Sequence, residues 1–133
     1  MKILVGYDGS NTAKDALKLA KLHAKAFDAK VFVVMCLSQP REIKPKDMDK
    51  MEEADRELND IKDRFDADGI ACDSRLSVHD MSPGESLVQF AADHEIDEIF
   101  IGVRRRSKVG KLVFGSTAQY VILEAPCPVV TVK

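Results

Sequence analysis

The stretch "KILVGYDGSN", Lys2 to Asn11, decides the architecture. Lys2 to Tyr7 is a short apolar run rich in branched side chains and lacks polar alternation, the pattern of a strand buried on both faces. "DGSN" then supplies turn residues. From Thr12 the spacing changes. Ala13, Ala16, Leu17, Ala20, Ala24 and Phe27 recur at helical intervals with lysines on the other face, and Ser10 or Asn11 stands where a cap belongs. A buried strand running straight into a helix opens a βαβ unit, in which strands run parallel and crossovers are right-handed.

The rest of the chain repeats this alternation. "KVFVVMCL", Lys30 to Leu37, is a second continuous apolar run, followed by a loop holding Pro40 and Pro45. Asp47 to Asp68 is densely charged, yet Met48, Met51, Ala54, Leu58, Ile61 and Phe65 return at three and four, which makes an amphipathic helix ended by Gly69. "IACDSRLSV", Ile70 to Val78, is a third strand, more polar and so nearer an edge. Ser82 and Pro83 then cap a helix carrying Leu87, Val88, Phe90 and Ala91. "EIFIG", Glu98 to Gly102, is the fourth strand. A helix opening at Gly115-Ser116-Thr117 turns Ala118, Val121 and Ile122 inward and stops at Pro126, before a fifth strand, "PVVTV". The order βαβαβαβαβ predicts an α/β fold, a doubly wound, Rossmann-like parallel sheet, with residues 1–133 as one domain.

Bulk properties narrow the function. The chain has 133 residues, 45% hydrophobic and 32% charged, long enough for a single core. A formal net charge of −2 argues against a nucleic-acid or membrane surface, either of which is normally strongly basic. The N-terminal run is too short for a signal peptide and no stretch reaches the length of a membrane span. The three cysteines, Cys36, Cys72 and Cys127, are unpatterned, which fits a reducing cytoplasm and small apolar fillers. His23, His79 and His94 lack metal-ligand spacing, so no metal site is expected.

In an open parallel sheet, ligands bind beyond the carboxyl ends of the strands. Two of these ends are specialised here. Asp8 follows the first strand directly, and a long basic loop from Gly102 to Ser116 follows the fourth. A helix start at Gly115, Ser116 and Thr117 presents unpaired N–H groups and hydroxyls, and Arg104, Arg105, Arg106, Lys108 and Lys111 add cations. The same residues also suit a solvated surface loop with Ser116 as an ordinary cap, so both readings stand. A Walker loop is excluded: Leu112 replaces its hydroxyl and Arg105 its first glycine. The dinucleotide pattern GxGxxG is absent after the first strand. No nucleophile, base and acid pattern suggests a catalyst, so no enzymatic activity beyond slow ATP hydrolysis is expected.

These residues carry a resemblance. "ILVGYDGS", "IFIGVRRRSKVGKLVFGST" and "APCPVVTV" together resemble the universal stress protein family over nearly the full length. Its nucleotide-binding members carry G-x2-G-x9-G-S/T. Gly102 fits the first glycine and Gly115-Ser116 the end, while Arg105 replaces the second glycine. The resemblance implies a five-stranded sheet in the order 3-2-1-4-5, a homodimer, and a crevice between the first and fourth strands for ATP or another adenine nucleotide (ADP or AMP). Mg2+ on the phosphates is implied as well. It assigns Asp8 to the nucleoside, Cys36 to adenine, and Gly102, Gly115, Ser116 and Thr117 to ribose and phosphates. Arg105 either obstructs that site or reaches a phosphate. With the site obstructed, the protein would be a nucleotide-free dimeric adaptor acting through a protein partner. The last strand, an edge in this order, is where a two-fold dimer would pair.

Overall fold

The computed structural model describes residues 1–103 and 115–133. Strands β1 (Lys2–Gly6), β2 (Lys30–Ser38), β3 (Cys72–His79), β4 (Glu98–Gly102) and β5 (Val129–Val132) alternate with helices α1 (Asn11–Phe27), α2 (Pro45–Ala67), α3 (Pro83–Asp93) and α4 (Ser116–Glu124). All five strands are parallel, in the order β3-β2-β1-β4-β5. The doubly wound sheet and its order are those expected above.

The continuous apolar runs have a simple cause. Alternate residues of each central strand serve two different cores. Ile3, Val5, Val31, Val33 and Phe100 pack under α1 and α2. Leu4, Phe32, Val34, Ile99 and Ile101 pack under α3 and α4. A polar residue at any of these positions would be buried whichever way it faced.

Helix α1 lies close on the sheet because its inner stripe is alanine: Ala13, Ala16, Ala20 and Ala24 are all buried. Ser10 caps it, its Oγ accepting from the Ala13 N–H at 3.2 Å. Phe27, placed by periodicity on the same stripe, is instead exposed, because α1 ends there and the chain leaves through Asp28 in the left-handed region. Helix α2 starts earlier than expected. Pro45, assigned to the loop, is its first residue, where a missing N–H costs nothing, and the Asp47 carboxylate accepts from the Lys44 N–H at 3.0 Å. In α4, Ala118 and Val121 are buried but Ile122 is exposed. The α3 contact accounts for this rotation: Tyr120 lies against Gly84, where an added Cβ would sit 2.9 Å from the tyrosine Cβ.

Candidate functional site

The order of strands reverses between β1 and β4. One chain connection leaves β1 toward α1 and the other leaves β4 toward α4, so their carboxyl ends open a gap between the two helical layers. The gap is a crevice of about 560 Å3. Its walls include Asp8, Cys36, Gly102, Gly115, Ser116 and Thr117, so the six predicted site residues that fall among the described residues meet in one place. Arg104 and Arg105, with the remaining cations of that loop, lie outside the described residues.

Local chemistry explains how each wall is placed. After Gly6 the chain keeps one more sheet contact, the Tyr7 N–H donating to the Val34 carbonyl at 3.0 Å. It then turns. Asp8 Oδ1 accepts from the Ser10 N–H at 2.9 Å, and Gly9 takes a φ of +82°, a conformation that side chains with a Cβ resist. The turn delivers Ser10 to its cap and leaves Asp8 exposed at the crevice mouth.

Gly102 works by what it lacks. A Cβ there would stand 2.5 Å from Thr12 Oγ1 and 2.7 Å from the Ala13 backbone nitrogen. The glycine lets the first turn of α1 press against the end of β4, which brings Asp8 and the chain leaving β4 to the same crevice. Across from it, α4 begins at Gly115, which has extended backbone (φ −64°, ψ 158°) and no capping side chain among the described residues. The first N–H groups of α4 therefore face the crevice end of the helix with its positive dipole.

The floor is apolar. Gly6, Val34, Leu87 and Ile101 contribute to it, and Pro83 closes one side from the start of α3. Sequence motifs did not mark these residues. Gly6 carried the one usable signal, since a glycine inside a strand signals close approach, and a Cβ there would meet Leu87 Cδ1 at 2.8 Å.

Cys36, at the end of β2, donates a weak hydrogen bond to the Pro83 carbonyl at 3.9 Å. Burial pushes its thiol up to about 11, partly offset by Ser86, and burial likewise pushes Cys72 to about 11. Both thiols are thus protonated at neutral pH and act as small packing groups. The folded state keeps these protons where the unfolded chain releases them. Stability therefore falls as pH rises from the ordinary thiol value of 9.0 toward 11. At pH 8, pulsed iodoacetamide should label Cys36 and Cys72 about 100-fold more slowly in the folded protein than in urea. Peptide mapping measures both rates, and equal rates would remove the assignment.

Among the described residues, no cluster of three or more His, Cys, Asp or Glu side chains could hold a metal ion. Among the same residues no helix is long and apolar enough to cross a membrane.

A doubly wound parallel sheet with a crevice at its reversal defines a Rossmann-like α/β protein. Comparison with known proteins gives the family. Residues 1–133 match the model of the universal stress protein family, and the chain belongs to that family. It is 32% identical over 140 residues to a universal stress protein of Thermus aquaticus, covering 98% of this chain and 97% of that one. A solved universal stress protein from Archaeoglobus fulgidus superimposes with a TM-score of 0.83 at 31% identity, over 100% of this chain and 93% of the other. A second Archaeoglobus fulgidus structure, in complex with dAMP, gives 0.77 at 29% identity over 100% and 98%.

Proposed function

We propose that this chain binds an adenine nucleotide in the crevice between the carboxyl ends of β1 and β4 and acts as a regulatory protein rather than a catalyst. The observation that carries this reading is the placing of Asp8 and the start of α4 on the walls of one hollow. A volume of about 560 Å3 lies within the range of small-molecule sites, roughly 300–1,000 Å3. The dAMP complex of a relative at 29% identity supports an adenylate as the guest. AMP, ADP and ATP share the adenosine that would meet Asp8 and the apolar floor. With ATP, the divalent cation would be held by the phosphates.

The regulatory reading places the protein in the cytoplasm as a homodimer paired through β5, with nucleotide occupancy altering a partner-binding surface. Strand β5 ends the sheet, with Val129, Val130 and Val132 only half-buried, which favours pairing.

Isothermal titration with AMP, dAMP and ATP tests the reading. One site per chain, with dissociation constants below about 1 mM, is the expected result. No heat at millimolar nucleotide would overturn it. If ATP bound only to the Arg105→Gly variant, the nucleotide-free adaptor would be the correct reading.

A further inference from the structure

The opposite layer holds a second hollow, of about 580 Å3, between α1 and α2. Its bed is apolar. Ile61 and Phe65 of α2 are buried, Leu17 of α1 is half-buried, and Leu22 at the rim is 63% exposed. Above this bed stand four cations, Lys14, Lys18, Lys21 and Arg64, against two carboxylates, Glu57 and Asp60.

Several of these charges are already engaged. Glu57 accepts a hydrogen bond from the Tyr7 hydroxyl, and burial followed by this contact holds the phenol well above its ordinary value. Lys21 meets Asp68 at 2.6 Å and sits over the Phe65 ring. Among the described residues, Lys18 pairs with Asp15 at 3.8 Å, an exposed contact that water screens. The side chains of Lys14, Arg64 and Asp60 make no ion pair or hydrogen bond among the described residues. Asp60 lies one helical turn from Arg64 on the α2 wall. The charges lining the groove are thus segregated: the α1 wall contributes lysines and no carboxylate, while both lining carboxylates lie on the α2 wall, with the apolar trough between.

We propose that this groove is a second ligand site, separate from the crevice, for a small free amphipathic anion. The carboxylate or sulfonate would lie against Lys14 and Lys18, and the apolar body would cover Leu17, Ile61 and Phe65. The hollow is a cleft of small-molecule size rather than a flat face, which fits a free molecule instead of a membrane surface.

The probe is 8-anilinonaphthalene-1-sulfonate, titrated into the full chain with and without saturating AMP. One dye per chain should bind with enhanced emission, and decanoate should displace it while decyltrimethylammonium does not. The Lys14→Glu/Lys18→Glu variant should weaken the dye at least about tenfold with unchanged circular dichroism. Leu22→Asp, at an exposed rim position, should weaken it severalfold and serves if the first variant misfolds. AMP and the Asp8→Ala change should leave dye binding unaltered, so a failure of the nucleotide reading leaves this test intact. Absence of dye binding, displacement by AMP, or indifference to both groove variants would overturn the site. Cosedimentation with phosphatidylglycerol vesicles would overturn the free ligand.

Discussion

Gly102→Ala should lower the melting temperature by about 10 °C, corresponding to a loss of ~3 kcal/mol for one added methyl group. The clash is with backbone, which is why so small a change is so costly. The new Cβ would meet the Ala13 nitrogen and the Thr12 carbonyl carbon, each at 2.7 Å, in the first turn of α1. No rotamer relieves that. Helix α1 must retreat from β4, and its alanine stripe leaves no long side chains to fill the gap. The retreat also moves the turn that carries Asp8, so nucleotide affinity should fall with stability. Gly115→Ala is the control. No described residue lies within 4 Å of a Cβ there, and its extended backbone admits alanine, so the helix-capping preference is what is at stake, about 1 kcal/mol or less. Thermal melts of the two variants decide the matter. A Gly102→Ala protein melting within about 2 °C of the parent would refute the close-approach role.

The fold was legible because its signals are local and repeated. Each central strand reads as an unbroken apolar run, and "EIFIG" and "KILVGY" say the same thing independently. The misses have physical reasons. Pro45 was assigned to a loop because proline usually breaks helices, yet at a first helical position it is compatible with α2. Ile122 was placed inward because helical periodicity alone does not set a helix's rotation. The contact of Tyr120 with Gly84 does, and it comes from a different element.

The crevice divides the same way. Asp8 and the Gly115-Ser116-Thr117 start were visible as turn and cap chemistry next to strand ends. Gly102 was visible as a glycine, but for another reason. The motif assigned it to ribose and phosphates, and the backbone packed most closely against it is that of α1. Val34, Pro83 and Leu87 were not legible at all. They come from β2 and α3, and only the register of β1 against β2 and the docking of α3 bring them under the mouth. The groove between α1 and α2 escaped for a related reason. Its lysines read as the wet face of α1, and their position opposite α2 depends on how far apart two helices sit on the sheet.

Asp8→Ala should weaken AMP about 10- to 100-fold, the loss of a charge-assisted hydrogen bond. The electrostatics of the crevice favour one orientation for the proposed nucleotide. A carboxylate repels phosphate, while the N–H groups at the start of α4 and the dipole behind them attract it. On the proposed reading the adenosine end would lie at Asp8, whose carboxylate would accept from ribose hydroxyls, and the phosphate would lie at Ser116 and Thr117. Two consequences separate this from a general loosening of the turn. Inorganic phosphate should bind the Asp8→Ala variant as well as it binds the parent. Asp8→Asn keeps an acceptor for the Ser10 N–H, and so keeps the turn, while removing the charge. It should retain much of the AMP affinity if the contact is a hydroxyl and little if it is a charge. Because Asp8 is exposed, melting should shift by no more than about 3 °C in either variant. Titration calorimetry on the three proteins reads all of this, and an AMP affinity unchanged by Asp8→Ala would remove Asp8 from the site.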